Sequence, residues 1–384
     1  MNLSGKYEKY RRILRRRFLV IGSDQGHSLP ADSRDSGLVH FGDATVFLGW
    51  YMGVLATEFN LLSRGLLSTL ALRPQKTLRE LYFALNALRR LIHTAASCFH
   101  PSTDLQKGFF IRDDVPAALR IHFPGFIEIQ SDYSNDNPFM KEESQDQLIH
   151  LLLGLALVKR FVPHNAVIHG ENLVSIAQDL AVDVCSWPAA TRWIIRNPYV
   201  DCKKVDRGPY AFFFSHPIVM ALTYIDQRGS GLAETVNRMM KWIWRHIMKY
   251  DLCCLYNATN LHLTLTCACL SDSWGRKSLK HISRLARRFD WPIYPMINVV
   301  LFSNIHPQKM SDIPELRNWA EPMLLSAPRN GLSYQESPAG WKASHKFLFD
   351  RNTQTEGRVD YRGRAFPGVD FMLLHNIDQI MKNL

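Results

Sequence analysis

Hydrophobic and polar positions alternate along the chain in long blocks with helical spacing. Residues 45–62 are apolar on nearly every side. The next segment, 76–93, carries its apolar residues on one stripe, formed by Leu78, Leu81, Leu85, Leu88 and Ile92. A helix that is apolar all round is buried, whereas a helix with one apolar stripe keeps its other face in water. These two segments therefore predict a buried helix followed by an amphipathic one.

The same pairing recurs along the rest of the chain. Buried and amphipathic segments follow at 144–162 and 171–187, 215–225 and 231–250, 258–270 and 274–289, and 297–302 and 313–325. A last apolar segment, 369–381, has no amphipathic segment after it, and the amphipathic helix at 6–18 is the available partner. Six buried helices alternating with six amphipathic ones predict an all-α fold. We expect one (α/α)6 toroid over residues 1–384, closed by packing the first helix against the last.

The long connections all precede buried helices. They comprise residues 18–43, 98–143, 187–214 and 327–367, whereas the links within each pair are short. One end of the toroid would therefore carry the long loops. Long loops on a rigid scaffold are where binding and catalysis usually take place.

Three segments give the chain a resemblance to a known group of enzymes. They are 41–58 (FGDATVFLGWYMGVLATE), 144–158 (SQDQLIHLLLGLALV) and 365–376 (AFPGVDFMLLHN). In its hydrophobic pattern and predicted architecture the chain resembles the six-hairpin glycosidase-like superfamily of (α/α)6 enzymes, which hydrolyse or otherwise process glycosides. The resemblance implies a carbohydrate-active enzyme with its site in the central pocket. The catalytic candidates come from the residues themselves.

Composition supports a packed protein, and its charge excess is partly local. Hydrophobic residues make up 46% and charged residues 21%, which disfavours disorder over most of the chain. The formal net charge is +11, and the opening segment contributes Lys6, Lys9, Arg11, Arg12, Arg15, Arg16 and Arg17. Such a segment suits nucleic acid or an anionic membrane, but we favour the solvated face of a helix with its tyrosines turned inward. We expect a carbohydrate partner and no nucleic acid.

The cysteines and the apolar runs bear on location and cofactors. The seven cysteines form no pair of CxxC clusters, so zinc and redox motifs are absent, and an odd count in apolar stretches is typical of reduced intracellular protein. No apolar run reaches the roughly 18 residues of a membrane span. We expect a cytoplasmic protein without a membrane span or cofactor, although a chain whose leader had been removed would look the same.

Glycoside hydrolysis requires two carboxyl groups, one to protonate the leaving oxygen and one to activate water or attack carbon. Asp43 stands just before the first buried helix, and Asp146 lies in the first turn of the second. Neighbouring helices about 8 to 10 Å apart would bring this pair near the roughly 6.5 to 9.5 Å separation of an inverting enzyme. The alternative is helix capping, because acidic residues favour helix N-termini.

Asp113 and Asp114, in the middle of the longest loop, are a reserve catalytic pair. The alternative is a charged turn before Pro116, since Asp and Pro cluster in turns for backbone reasons. The nearby stretch from Asp132 to Glu143 spaces oxygen ligands as a calcium loop does. An asparagine and a proline replace the sharp glycine turn there, so we predict no tight metal site.

Other side chains are candidates for binding substrate. Sugar rings stack on aromatic side chains, and the aromatic residues near loop ends are Trp50, Tyr133, Trp187, Tyr210, Tyr256 and Trp341. His27 and His216 precede helices, and Arg362 and Arg364 would pair with a substrate carboxylate. The alternatives are core aromatics, structural histidines and solvated loop charge.

Three functions remain open on these observations. The leading hypothesis is a glycoside hydrolase using the carboxylates above. The second is a lyase or epimerase acting on uronic-acid sugars, which would bring Tyr210, His216 and Arg364 together in one pocket. The third is a non-catalytic helical module that binds a polysaccharide, protein or nucleic acid through its basic surface. Terpene-cyclase chemistry is disfavoured because the sequence has no DDxxD stretch.

Overall fold

The chain is mostly helical, which confirms the all-α prediction. The computed structural model describes residues 2–35, 37–67, 72–98, 108–134, 143–195, 210–227, 231–236, 238–250, 258–271, 276–287, 290–329 and 365–384. The α-helices in this part of the chain are α1 (Leu3–Ile13), α2 (Ala44–Ser63), α3 (Pro74–Cys98), α4 (Gln145–Phe161), α5 (Leu173–Ala190), α6 (Tyr210–Ile225), α7 (Arg238–Tyr250), α8 (Ala258–Leu270), α9 (Arg276–Arg287), α10 (Ile293–Phe302), α11 (Ile313–Ser326) and α12 (Val369–Met381). A π-helical turn, Leu14–Phe18, continues α1, and short 3₁₀ helices span Ala117–His122, Leu232–Thr235 and Pro307–Asp312.

Two small sheets lie in segments that the sequence predicts as loops. One has the order β1 (Asp32–Asp35), β2 (Leu38–His40) and β3 (Glu128–Gln130), with β1 antiparallel and β3 parallel to β2. The other is the antiparallel pair β4 (Val167–Ile168) and β5 (Glu171–Asn172). The strands are too short to show an alternating pattern in sequence. They satisfy backbone groups in two of the long connections and in the link between α4 and α5.

The helices predicted as buried pack on one another in chain order. α2 contacts α4, α4 contacts α6, α6 contacts α8, α8 contacts α10, α10 contacts α12, and α12 contacts α2. α4 also contacts α8 and α10, which are not its neighbours in this order. The amphipathic helices pack outside: α3 and α5 on α2, α4 and α6, α7 on α6, α9 on α8 and α10, and α11 on α10 and α12.

α2 and α4 touch through their backbones and run parallel. A Cβ added to Gly49 would lie 2.1 Å from the carbonyl oxygen of His150, and one added to Gly154 would lie 2.2 Å from that of Gly49. One turn further along, a Cβ on Gly53 would meet the side chain of Leu157. Contact positions advance together on both helices, so both helices start at the same end of the molecule.

α12 lies on the other side of α2 and also runs parallel to it. Phe366, just before α12, has its ring 6.5 Å from that of Phe47. Further along, the amide of Asn376 donates to the carbonyl of Val54 at 3.3 Å and to the hydroxyl of Thr57 at 3.1 Å. The starts of α4, α2 and α12 are therefore neighbours at one end.

α1 packs on α12 and buries two of its basic residues. The rings of Tyr7 and Tyr10 lie 4.7 Å from His375 and 4.3 Å from Phe371. The ammonium of Lys6 donates to three carbonyls at the end of α11, at 2.8 to 3.0 Å. Arg11 is also buried. The prediction of a solvated basic face is therefore wrong for Lys6 and Arg11.

A single hydrophobic cluster extends from α1 to α12. It includes inward faces of the outer helices as well as nearly all of α2, α4, α10 and α12. Among the described helices, none combines the length and apolar character needed to cross a bilayer.

Candidate functional site

Polar and aromatic side chains from five of the mutually packed helices meet inside the helical core. They are Trp50 of α2, His150 of α4, Thr266 of α8, Tyr294 of α10 and Asp370 of α12, and all five are buried. The Trp50 ring lies 6.2 Å from His150 and 6.5 Å from Tyr294. We call these residues the central polar cluster. Buried polar groups are costly unless they are hydrogen-bonded, so five in one place are unusual for a purely structural core.

The contacts of His150 define its tautomer. Its Nδ1 faces the carbonyl oxygen of Asp146, which can only accept, so Nδ1 carries the proton. The other ring nitrogen, Nε2, then has its lone pair directed at the Thr266 hydroxyl, 3.5 Å away. Burial lowers the pKa of His150 to about 4, an effect that the charge of Asp146 partly offsets. His150 is therefore neutral near pH 7 and able to accept a proton at Nε2.

Tyr294 and Asp370 form the opposite side of the cluster. Burial raises the pKa of Tyr294 well above 10, a hydrogen bond with Thr266 lowers it, and the nearby charge of Asp370 raises it. Tyr294 is thus a protonated phenol at neutral pH. One carboxylate oxygen of Asp370 accepts from the amide of Phe371 at 2.8 Å.

Carboxylates stand at the starts of three neighbouring helices. Asp43 occupies the N-cap position of α2, and its side chain makes no capping hydrogen bond. Asp146, in the first turn of α4, is half-buried and accepts from the hydroxyl of Ser144. That turn is capped instead by Gln147, whose side chain accepts from the Ser144 amide at 3.1 Å. Neither carboxylate therefore caps its helix through a side-chain hydrogen bond, although both lie where a negative charge complements the helix dipole.

Helical spacing aligns two of these carboxylates with the cluster. Asp146 precedes His150 by four residues, and Asp43 precedes Trp50 by seven, which places each pair on one helix face. Asp370 belongs to the cluster itself. This arrangement can place carboxyl groups around a site whose floor consists of the neutral imidazole of His150, the phenol of Tyr294 and the indole of Trp50.

The reserve pair lies in a different environment. Asp113 is buried and accepts from the hydroxyl of Ser131 and from the amides of Val115 and Asp132. Asp114 accepts from the amide of Gly26 at 3.0 Å and from the guanidinium of Arg90, with which it forms an ion pair. These bonds join the long loops to α3, which fits a structural role.

The structure does not bring the predicted histidines to the cluster. His27 lies beside His122, with ring centres 6.1 Å apart. Burial and the charges of Lys241 and Arg245 on α7 lower the pKa of His216 to about 4. Its environment is thus the contact between α6 and the outer helix α7. Tyr133 packs half-buried against the core.

Several predicted residues lie outside the described part of the chain. Tyr256, Trp341, Arg362 and Arg364 belong to this group, and for Tyr210 the structure describes the helix but not the side chain. The calcium-loop positions 135–142 lie outside it too. Among the residues that are described, no group of three His, Cys, Asp or Glu is placed to hold a metal ion.

Sequence reasoning did not identify His150, Thr266, Tyr294 or Asp370. Each one lies in a helix that the sequence predicts as buried, but the same helices carry other polar residues, among them Gln147, Thr264, Asn298 and Asn376. A polar residue in a helix predicted as buried is therefore a signal, but it does not separate these four residues from their polar neighbours. Comparison with protein-family models, curated proteins and solved structures finds no match to the chain.

Proposed function

We propose that the chain is a carbohydrate-active enzyme, a glycoside hydrolase that works where the central polar cluster meets the starts of α2, α4 and α12. The observation that supports it is that Asp43, Asp146 and Asp370 lie at the starts of three neighbouring helices, on the helix faces or in the cluster that carry Trp50 and His150. Aromatic rings bind the C–H faces of sugars, and paired carboxyl groups supply the acid and base of hydrolysis.

The packing of the helices supports an (α/α)6 toroid as the scaffold. Six helices contact one another in a closed order, and the amphipathic helices pack on their outer side. α1 completes the outer set by packing on α12. Parallel inner helices would gather their N-terminal ends, and the long connections before them, around one central site.

In the proposed reaction, one carboxyl group protonates the leaving oxygen while another carboxylate activates water or attacks the anomeric carbon. Asp146, half-exposed in the first turn of α4, and Asp370, in the buried cluster, are the first choice for this pair. Asp43 is the alternative partner for Asp146, and Asp113 and Asp114 are the reserve.

The first experiment is a screen of purified protein against neutral and uronate-containing glycans, followed by variants. Asp146→Asn and Asp370→Asn should each lower turnover by about 10² to 10⁴, the usual contribution of a proton transfer. Asp179→Asn, an exposed position on the outer helix α5, is the matched control and should leave turnover unchanged. Wild-type turnover in both site variants would refute the proposed pair.

A uronate lyase or epimerase is the competing enzyme class, and His150 with Tyr294 is the feature that favours it. Such an enzyme removes the C5 proton with a side-chain base and forms an unsaturated or inverted product without adding water. Cleavage of a uronate polymer with an unsaturated product, abolished by His150→Gln but retained in Asp146→Asn, would select this class over the hydrolase.

A second candidate function is a non-catalytic module that binds an acidic polysaccharide. α7 and α9 together carry nine Lys and Arg residues and no Asp or Glu. On α7, Trp242 is 58% and Met239 55% exposed, and the centre of the His246 ring lies 3.8 Å from that of Trp242, with the two rings tilted by 35°. Salt-sensitive binding of a polyuronate that is lost in Trp242→Ala, with no turnover of any glycan, would favour this function.

A further inference from the structure

A cavity of about 480 Å³ lies along the solvent side of α1, far in sequence from the central polar cluster. Its charged lining consists of Glu8, Lys9, Arg11, Arg12, Arg15 and Arg16. All six line one cavity, so they lie on one side of α1 and of the π-helical turn Leu14–Phe18 that continues it. A concave surface of this size suits a small ligand better than a flat polymer contact.

The arrangement of charges in the lining is costly for the helix. Lys9 and Arg12 are a like-charged pair at a spacing of three in α1, and such a pair destabilises an α-helix by a few tenths of a kcal/mol. Arg15 and Arg16, in the π-helical turn Leu14–Phe18, add two more positive charges directly after it. Carboxylates in the part of the chain that the structure describes neutralise only part of the positive charge of the lining. Five cationic groups face Glu8 and the two buried partners Glu58 and Glu80, so the site keeps a formal charge of +2.

Two of the guanidinium groups are held in place by the protein. Arg11 is buried, with Nε 2.7 Å from Glu58 and Nη2 2.9 Å from Glu80. Glu80 also pairs with Arg15. After these bonds, Nη1 of Arg11 and Nε of Arg15 are buried donors with no partner. Buried donors are normally satisfied, and unpaired ones call for a missing acceptor.

We propose that this cavity binds a phosphate dianion, either free phosphate or the terminal group of a phosphate monoester. The net charge of +2 matches the dianion, and its oxygens accept from guanidinium groups in pairs. Arg11 and Arg15, oriented by carboxylates, form the inner wall. Lys9, Arg12 and Arg16 close over the ligand from the solvent side. The site is independent of the proposed glycoside chemistry.

The test is calorimetric titration of the full chain with inorganic phosphate, glucose 6-phosphate and glucose, at fixed ionic strength. Saturable binding of phosphate or glucose 6-phosphate, with none of glucose, is expected. Arg12→Gln and Arg16→Gln should each weaken binding about tenfold or more, because a charge-assisted hydrogen bond is lost. Tighter binding of glucose 6-phosphate than of phosphate would identify a monoester as the ligand, and the reverse would identify free phosphate.

The control is Arg120→Gln, an exposed arginine outside the cavity, which removes the same charge and should bind as wild type does. Binding should also weaken as pH falls below about 6, where the dianion of a phosphate monoester takes up one proton and becomes a monoanion. No binding heat from either anion, or equal loss in Arg120→Gln and Arg12→Gln, would overturn the proposal. So would binding of nucleic acid at Arg12 and Arg16 without any binding of phosphate.

Discussion

Asp113 is almost completely buried, and three hydrogen bonds reach its carboxyl group. Burial raises its pKa from 3.8 to about 6, although the bonds from Ser131, Val115 and Asp132 act in the opposite direction. The carboxyl group is therefore protonated in mildly acidic solution while the protein is folded. Its role in joining residues 113–115 to residues 131–132 within the longest loop therefore depends on pH.

The free energy of unfolding should record this titration. Because the folded-state pKa lies above the unfolded value, Asp113 stabilises the fold most below about pH 4 and loses that contribution as pH rises through about 6. The loss is about 3 kcal/mol, at about 1.4 kcal/mol per pKa unit. Urea unfolding of wild type and Asp113→Asn between pH 4 and 7.5 measures it. A difference between the two proteins that does not change with pH would contradict the prediction.

At the scale of elements, close contact between α2 and α4 depends on two glycines. Gly49→Ala would press a methyl group against the backbone of His150, and Gly154→Ala would press one against the backbone of Gly49. Neither backbone can move without separating the helices, so each variant should lose about 3 kcal/mol or more of unfolding free energy.

Gly53→Ala on the same helix is the comparison. Its methyl group would meet only the end of the Leu157 side chain, which can rotate away. Alanine also stabilises a helix by about 1 kcal/mol relative to glycine, so a near-neutral effect is expected. Equal melting temperatures for Gly49→Ala and Gly53→Ala would show that the helices are not in backbone contact.

α1 is attached to α2 and α3 by a buried ionic network. Glu58 is completely buried and accepts from the phenol of Tyr7, the guanidinium of Arg11 and the hydroxyl of Thr77. Glu58→Gln leaves the buried Arg11 with one counter-charge fewer, and breaking a buried pair costs about 3 to 5 kcal/mol. Chemical denaturation of this variant should show a loss of that size.

The control for that loss is an ion pair at the surface. Arg89 and Glu171 lie 3.0 Å apart, and their side chains are 45% and 39% exposed. Exposed pairs contribute about 1 kcal/mol or less, so Glu171→Gln should unfold nearly as wild type does. If both variants lose the same amount, the network around Glu58 is not a buried one.

For the whole molecule, buried histidines predict sensitivity to acid. Burial lowers the pKa values of His150 and His375 from 6.5 to about 4. Their folded-state pKa values lie below the unfolded value, so their contribution to stability is complete above about pH 6.5 and is lost as pH falls through about 4. Each accounts for about 3 kcal/mol.

The variant His375→Gln isolates the loss of stability in acid that is caused by one buried histidine. The titration of Asp113 changes stability in the opposite direction over the same pH range. Between pH 6.5 and 4.5 the unfolding free energy should fall less steeply with decreasing pH in the variant than in wild type. The two slopes should differ by at most the value for one bound proton, about 1.4 kcal/mol per pH unit. Denaturant midpoints at three pH values in this range measure the slopes. Parallel slopes would mean that His375 is not held neutral in the folded protein.

The sequence alone determined the helices of this protein and which of them are buried. Segments 45–62 and 144–162 carry apolar residues on nearly every side, whereas 76–93 carries them on a single stripe. This difference predicts burial, because a helix surrounded by other helices needs apolar residues all round and a helix at the surface needs them on one face only. The first and last helices were identifiable as partners for the same reason. The predicted carboxylates Asp43 and Asp146 followed from their places at helix starts, and whether they act in catalysis stays a prediction.

Only the tertiary structure decided which polar groups meet. His150, Thr266, Tyr294 and Asp370 are separated by up to 220 residues in sequence, and helix packing rather than any local pattern brings them together. The same holds for Lys6 and Arg11, whose burial depends on carbonyls of α11 and on Glu58 and Glu80 of other helices. Local periodicity reports how a helix is buried, but a side chain's partner depends on contacts between distant segments, which no single segment encodes.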